Sequence, residues 1–196
     1  GLGGDPEAHV GPAVQPAVEC TGAGAAYAAL QVTAHDLCGG AVTLTNDHTA
    51  DGGDASGAYP LGTTPVAFSA TDARGNTATC ATGVSVVDTQ PPTLTLHADP
   101  AVLWPPNHEM VPVGLTWDVS DVCDPAPVVD LVSVTSSEPD DAQGKDDGET
   151  LGDIQDAETL TTDNEVMLRA ERDGKSAGRT YTLTYRATDA GGHATA

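Results

Sequence analysis

Acidic side chains are concentrated in one stretch of the 196-residue chain, between residues 137 and 163, where Lys145 is the only basic residue. Calcium takes roughly six to eight oxygen ligands, which neighbouring carboxylates and backbone carbonyls of a glycine-containing loop supply. Because such acids repel one another, we expect a bound cation to order this loop. The alternative is a solvated acidic loop that binds ions only diffusely. The predicted calcium ligands are Glu138, Asp140, Asp141, Asp146, Asp147, Glu149 and Asp153.

A second, weaker candidate cation site lies where the two halves of the chain meet. Simple turn chemistry is the competing interpretation for Asp72 and for Asp189, because an aspartate side chain hydrogen-bonds the backbone two residues further on. A role in capping the linker equally suits Asp88. The candidate ligands of this second site are Asp72, Asp88, Asp121 and Asp124.

The four cysteines are Cys20, Cys38, Cys80 and Cys123, and none belongs to the C-x-x-C pair of a thiolate metal site. Cys20 and Cys80 lie on predicted strands near the two ends of the first half, and we predict a disulfide between them. A second bridge, from Cys38 to Cys123, is a more speculative prediction. Because disulfides persist in oxidising compartments, the first pairing predicts such a compartment.

Motifs of catalysis are not apparent, since the sequence has no G-x-S-x-G, no H-E-x-x-H and no glycine-rich phosphate loop. Paired acids are the groups of glycosidases, but no aromatic sugar platform is evident beside the acidic cluster. A carbohydrate-binding module needs exposed aromatic residues. We expect Trp117 to be buried and Trp104 to anchor the loop 101–108. The sequence therefore favours a protein that is not an enzyme.

The net charge of −22 argues against several classes of partner. Nucleic-acid binding needs basic patches that release counterions, and an anionic membrane repels an acidic surface. No segment of the sequence approaches the roughly 20 apolar residues of a membrane-spanning helix. We therefore predict no nucleic-acid partner and no membrane insertion.

Short strands separated by turn residues are expected to position these groups. Residues 61–92 predict an antiparallel hairpin, in which apolar residues alternate with polar or small ones between Val66 and Ala70. The turn motif A-T-D-A-x-G-[NH] occurs at Ala70–Asn76 and again at Ala187–His193. The repeat predicts two related all-β units, each built as an antiparallel sandwich.

Composition suggests the boundaries of these units. Residues 1–12 are rich in glycine and proline and predict a flexible N-terminal segment. We expect the first unit to cover 13–90 and the second 91–196, with two prolines stiffening the linker Asp88–Pro92. The acidic loop, 137–163, belongs to the second unit, whose last strand we expect to be truncated.

Each half of the chain contains its own set of motifs. The first half has Cys20, D-x-C-G-G at Asp36–Gly40, Y-P-L-G-T-T-P-V at Tyr59–Val66, A-T-D-A-R-G-N at Ala70–Asn76, Cys80 and V-S-V-V-D-T-Q-P-P at Val84–Pro92. With these motifs, residues 13–90 resemble an HYR (hyalin repeat) domain. The second half has L-W-P-P-N-H at Leu103–His108, D-V-C-D-P-A-P at Asp121–Pro127, V-S-V-T-S-S-E-P at Val132–Pro139 and L-R-A-E-R at Leu168–Arg172. With these, residues 91–196 are similar to a related immunoglobulin-like repeat of large secreted bacterial proteins.

The resemblance implies two tandem immunoglobulin-like sandwiches in a secreted or surface-exposed bacterial protein, with a role in adhesion or spacing. The expected partners are other domains of the parent chain, a cell-surface protein or a glycan. The alternative function is an accessory module that links or targets a larger secreted hydrolase. Such repeats often contain a second cysteine pair, for which Cys38 and Cys123 lack evident partners within their own units.

Overall fold

The chain folds into β-strands, as the alternating apolar pattern predicts. The computed structural model describes residues 6–10, 17–36, 39–141 and 150–196, which contain fifteen strands and no helix. The described residues accordingly include no helix able to cross a membrane. The chain divides into two compact units, Gly1–Thr89 and Gln90–Ala196. The prediction of an all-β chain of immunoglobulin-like sandwiches is confirmed.

Unit 1 is organised around the predicted hairpin. Its strands are β1 (Pro6–Val10), β2 (Val18–Glu19), β3 (Ala25–Ala28), β4 (Val32–Asp36), β5 (Val42–Asn46), β6 (Gly57–Pro60), β7 (Gly62–Asp72) and β8 (Thr77–Val87). The hairpin strands β7 and β8 pair antiparallel, and the sheet has the order β2-β8-β7-β5. Val66, Phe68 and Val84 of this hairpin are buried. Two further antiparallel pairs, β1 with β4 and β3 with β6, complete the unit.

The start of the chain differs from the prediction. We expected residues 1–12 to be flexible, but β1 pairs antiparallel with β4 from Pro6↔Asp36 to Val10↔Val32. Sequence reasoning missed the strand P-E-A-H-V because glycine- and proline-rich segments flank it. Its proline is the first residue of the strand, a position at which the missing N–H is tolerated.

Unit 2 is a sandwich of two sheets. Its strands are β9 (Thr93–Asp99), β10 (Met110–Ser120), β11 (Val128–Ser136), β12 (Ile154–Gln155), β13 (Glu165–Arg169), β14 (Tyr181–Thr188) and β15 (Ala194–Thr195). One sheet has the order β12-β13-β10-β9 and the other the order β11-β14-β15. Apolar side chains of both sheets fill the core, namely Val113, Leu115, Val129, Leu131, Val166, Leu168, Tyr185 and Ala187. Complete burial of a leucine or valine stabilises the fold by roughly 1.5–3 kcal/mol.

The repeated turn motif forms equivalent hydrogen bonds in both units. In unit 1, Oδ1 of Asp72 accepts hydrogen bonds from the backbone N–H groups of Arg74 and Asn76, both at 2.8 Å. In unit 2, Oδ1 of Asp189 accepts one from the backbone N–H of His193 at 2.8 Å. The side chain of His193 contacts Oδ2 of Asp189 at 3.1 Å, as the Asn76 amide contacts Oδ2 of Asp72 at 2.8 Å. Turn chemistry therefore accounts for both aspartates.

Candidate functional site

A buried network of charged side chains lies in unit 2, with Arg179 at its centre. Arg179 precedes β14, and its side chain is 1% exposed. Its Nε donates to Oε2 of Glu138 at 3.2 Å, and its Nη1 donates to Oδ2 of Asp153. Its Nη2 donates to the carbonyl of Pro139 at 3.2 Å. One guanidinium thus joins two segments that lie 26 and 40 residues earlier in the sequence.

Arg169, the last residue of β13, is the second cation of this network. Its Nε donates to Oδ1 of Asp153 at 3.2 Å, and its Nη1 donates to the carbonyl of His108 at 3.0 Å. Its Nη2 donates to the carbonyl of Leu151 at 3.0 Å, and its own carbonyl accepts a hydrogen bond from the Tyr181 hydroxyl at 2.9 Å. The network therefore ties the loops after β9 and β11 to the ends of β13 and β14.

Glu171 is the least satisfied member of the network, although its side chain is 0% exposed. Its Oε2 accepts a hydrogen bond from the Thr150 hydroxyl and lies 3.3 Å from Nδ1 of His108. Its Oε1 lies 3.4 Å from Nη1 of Arg179 and has no hydrogen bond from the residues that the structure describes. Burial raises the pKa of Glu171, and the neighbouring Asp153 raises it further.

Hydrogen-bond donors lower the pKa of two further carboxylates at this end of unit 2, those of Glu138 and Asp140. Burial opposes ionisation of Glu138, but hydrogen bonds from the Ser176 hydroxyl, the Asp173 backbone and Arg179 lower its pKa. Backbone N–H groups of Asp153 and Gly152 lower the pKa of Asp140. The described part of the acidic loop is therefore bonded to the rest of the unit.

This bonding occupies several of the predicted calcium ligands. Both carboxylate oxygens of Glu138, Asp140 and Asp153 accept hydrogen bonds from protein donors. Arg179 thus supplies a positive charge to two carboxylates for which we predicted calcium. The remaining predicted ligands are Asp141, which is exposed, and Asp146, Asp147 and Glu149, which lie outside the described residues. Calcium binding by this loop stays a prediction.

The second predicted cation site is wrong in one respect. Asp72 ends β7 and Asp88 follows β8, so these residues lie at opposite ends of one hairpin. Because β8 has 11 residues, a strand rise of roughly 3.3 Å places them about 35 Å apart, too far to share an ion. In unit 2, Asp121 accepts a hydrogen bond from the Asp124 backbone and Asp124 accepts one from the Ala190 backbone, both at 2.8 Å. Asp121 and Asp124 therefore organise loops.

The predicted Cys20–Cys80 disulfide is wrong. Cys80 is a free thiol, whereas Cys20 and Cys123 are disulfide-bonded. The backbone N–H of Cys20 donates to the carbonyl of Val87 at 2.8 Å, at the far end of β8 from Cys80. The stretch of β8 from Cys80 to Val87 is about 23 Å long, whereas the Cα atoms of a disulfide lie within about 7 Å. Cys38 lies outside the described residues.

A pocket of about 490 Å³ opens beside the network in unit 2. The loop after β9, the end of β13 and the start of β14 line it. Trp104 and Val102 of its lining are 77% and 75% exposed, whereas Leu103 between them packs against the core. Leu103 therefore anchors the loop, and the prediction that Trp104 does so is wrong. Trp117 is partly buried against the core, as predicted.

The pocket collects basic residues in an otherwise acidic chain. Arg169, Arg172 and Arg179 line it together with one acid, Glu171, although the whole chain has 7 basic and 29 acidic residues. Arg169 and Arg179 are engaged in the network. Arg172 is exposed and has no ion pair or hydrogen bond in the described parts of the chain.

Sequence reasoning missed the residues that matter most here, Arg169, Glu171 and Arg179. The L-R-A-E-R stretch that ends β13 gives no signal of a buried network, although residues two apart on an extended chain share a face. Arg169 and Glu171 alternate with the buried residues Val166, Leu168 and Ala170, so the same rule places them on the face opposite the core.

Comparison with known proteins gives few matches. No family model matches the chain, and no curated protein matches it. Among solved structures, human protocadherin-24 EC1-2 is 16% identical, with a TM-score of 0.39 over 100% of this chain and 94% of that one. The fibronectin(III)-like modules of Clostridium thermocellum CbhA are 13% identical, with a TM-score of 0.29 over 97% and 90% of the two chains.

A third similar structure is Bacteroides ovatus SGBP-B, solved in complex with a mixed-linkage heptasaccharide. It is 15% identical, with a TM-score of 0.30, and the match covers 97% of this chain and 45% of that one. At such identities and TM-scores, nothing about the function of these three proteins applies to this chain.

Proposed function

We propose that this chain is a non-catalytic binding and spacing module of an extracellular protein, with its binding surface at the pocket of unit 2. The observation that supports this best is the exposure of Trp104 beside a pocket wall that the buried network holds in place. Large exposed apolar side chains at a concave surface are typical of ligand contact. A wall that is already ordered lowers the entropy lost on binding.

The bonding of the acidic residues supports binding rather than catalysis. A general acid needs a pKa near the working pH and access to the substrate. The pKa of Glu138 is lowered, both oxygens of Asp153 accept hydrogen bonds from arginines, and the side chain of Glu171 is enclosed. These acids serve as structural partners of Arg169 and Arg179.

Disulfide bonding supports the extracellular part of the proposal. Cys20 and Cys123 are disulfide-bonded, and reducing compartments keep thiols free. The proposal includes a secreted or surface bacterial protein of the HYR type, in which tandem sandwiches act in adhesion or spacing. The alternative is an accessory module that targets a larger secreted hydrolase, since a binding pocket serves that role equally well. In either case the partners are other domains of the parent chain and a cell-surface protein or glycan.

A glycan array tests the binding function. We would apply the labelled chain, its Trp104→Ala variant and a matched control, Tyr27→Ala, which removes an aromatic side chain that is 67% exposed in unit 1. We expect at least one class of glycan to retain the parent and the control but not Trp104→Ala. Equal binding by all three proteins, or binding to no glycan, would contradict a function of the pocket in glycan binding. Cleavage of any bound glycan would contradict the non-catalytic assignment.

The proposal also includes stabilisation by calcium, with fewer candidate ligands than the sequence predicts. Because protein donors already occupy Glu138, Asp140 and Asp153, the candidate ligands are exposed Asp141 and the acids outside the described residues. Thermal unfolding in calcium, magnesium and EDTA tests this form. We expect a calcium-specific rise of roughly ten degrees at about a hundred times the dissociation constant. An equal rise in magnesium would show diffuse screening instead.

A further inference from the structure

We propose that the pocket of unit 2 recognises a single uronic-acid residue in an otherwise neutral saccharide. This inference rests on the proposed function and narrows its ligand. The sugar carboxylate pairs with the guanidinium of Arg172, and the apolar face of the sugar ring lies on the indole of Trp104. Both side chains line the pocket, and both are exposed.

One exposed cation of the pocket selects an anion. Three arginines and one glutamate line the pocket. Because the buried acids Glu138, Asp153 and Glu171 neutralise Arg169 and Arg179, the exposed positive charge is that of Arg172. The chain as a whole has a net charge of −22. An unpaired guanidinium in a concave site on an acidic surface attracts a small anionic group to one place, because field lines concentrate in such a site.

The three arginines of the pocket have different roles. Arg179 is bound to Glu138 and Asp153, and Arg169 is bound to Asp153 and to backbone carbonyls. The guanidinium of Arg172 forms no hydrogen bond or ion pair among the described residues. A free guanidinium presents paired N–H donors that match the two oxygens of a carboxylate. Arg172 is therefore the residue that binds the anionic group.

Trp104 indicates that the anionic group belongs to a ring. Its side chain is 77% exposed, while its neighbour Leu103 is fixed in the core and two prolines, Pro105 and Pro106, follow it. The indole thus lies largely exposed on a constrained loop. A pyranose ring offers a flat set of C–H groups to such a face, and the contact removes apolar surface from water.

The net charge of the chain also limits the ligand to one acidic sugar at a time. A saccharide with a carboxylate on every residue would be repelled by the surface around the pocket, whereas a single uronic acid would not. An acidic peptide side chain would lack a rigid apolar face for Trp104 and would lose more rotamer freedom on binding. The pocket volume of about 490 Å³ falls within the range of roughly 300–1,000 Å³ that is common for small ligands.

Calorimetric titration of the whole chain tests this inference. The probes are a xylo-oligosaccharide with one glucuronic-acid substituent and a neutral oligosaccharide with one galacturonic-acid end. Each is compared with its methyl ester, which keeps the ring and removes the charge, and with a short oligoglutamate, which keeps carboxylates and removes the ring. We expect binding to at least one uronic-acid probe, at least about tenfold weaker binding to its ester and to oligoglutamate, and weakening by added salt.

Matched variants assign the binding to the pocket. Trp104→Ala and Arg172→Gln should each weaken binding by about tenfold or more. The controls Tyr27→Ala and Arg186→Gln, which change an exposed tyrosine of unit 1 and an exposed arginine of β14, should leave it unchanged. Since all four side chains are exposed, each variant should keep the thermal unfolding profile of the parent.

Three results would overturn the inference. Equal binding of the methyl ester would refute the role of charge, and equal binding of oligoglutamate would refute the role of a sugar ring. Absence of binding to both uronic-acid probes would refute the ligand. In that last case the glycan array still decides the proposed function, because another glycan lost by Trp104→Ala would keep the pocket as a binding site.

Discussion

Replacement of Arg179 by methionine tests whether the buried network holds unit 2 together. The substitution keeps an apolar stem and removes the cation that is bound to Glu138 and Asp153. The side chains of Arg179, Glu138 and Asp153 are 1%, 8% and 2% exposed, so water has little access to the carboxylates that lose Arg179 as a partner. Removal of one partner from a buried ion pair costs roughly 3–5 kcal/mol.

Such a loss is large for a domain of this size. Since a change of about 1 kcal/mol shifts the unfolding midpoint of a small domain by roughly 4–8 °C, we expect Arg179→Met to lower the midpoint of unit 2 by about 12 °C or more. Both tryptophans of the chain, Trp104 and Trp117, lie in unit 2. Tryptophan fluorescence during heating therefore measures the unfolding of unit 2 selectively.

The matched control is Arg186→Met, which removes an exposed arginine from β14. We expect its effect to stay within about 0.5 kcal/mol. An equally small effect of Arg179→Met would refute the structural role of the network. Asp153 keeps Arg169 as a partner, so adding Glu138→Gln to Arg179→Met removes the carboxylate charge that is left without a cation, and part of the lost stability should return. No recovery would show that Arg179 acts through packing rather than through charge.

Three further substitutions or measurements probe other parts of the molecule. Because the folded pKa of Glu171 is raised above 4.5, this residue should make unit 2 lose stability as the pH rises from about 4.5 through the folded pKa. Glu171→Gln should flatten that dependence in thermal unfolding across a pH series, and an unchanged slope would contradict the assignment. In denaturant unfolding, Leu103→Ala should lower the stability of unit 2 by about 2 kcal/mol. Trp104→Ala should lower it by less than about 0.5 kcal/mol. Equal losses would contradict the role of Leu103 as the loop anchor. Alkylation of the unfolded, unreduced chain followed by mass spectrometry should label Cys80 and leave Cys20 and Cys123 unlabelled. A disulfide-linked peptide pair that contains Cys20 and Cys80 would instead support the pairing predicted from the sequence.

Local patterns in the sequence were sufficient to predict the central hairpin and its turn. The alternation from Val66 to Ala70 and the motif around Asp72 depend on residues within a few positions of one another. The motif at Asp189 repeats the same local chemistry, and both turns form equivalent hydrogen bonds. Features of this kind could be predicted because their partners lie close together in the chain.

The network escaped prediction because its partners lie far apart in the sequence. Glu138 and Arg179 are separated by 41 residues, and Asp153 and Arg179 by 26. Within the acidic loop itself Lys145 is the only base, so an external cation was the natural expectation. The balancing charge comes instead from arginines that only the sandwich topology brings near the loop.

The disulfide prediction failed for a related reason. Cys20 and Cys80 were each placed correctly near or on the central sheet, but the position of a partner along a strand was not available from the sequence. β2 meets β8 at Val86 and Val87 rather than near Cys80. A shift along one strand is enough to separate two cysteines beyond bonding distance.

The pairing of β2 with β8 also determines how unit 1 bears mechanical load. These strands run parallel through Val18↔Val86 and Glu19↔Val87, and the Glu19 carboxylate accepts a further hydrogen bond from the Thr89 backbone at 2.8 Å. A pull that enters the unit along β2 and leaves it along β8 loads these bonds in shear, so that they must break together. In the antiparallel β7–β8 hairpin, the hydrogen-bonded pairs break one after another when the two ends are pulled apart. Against a pull in this direction, the short parallel contact of unit 1 is therefore stronger than its longest hairpin.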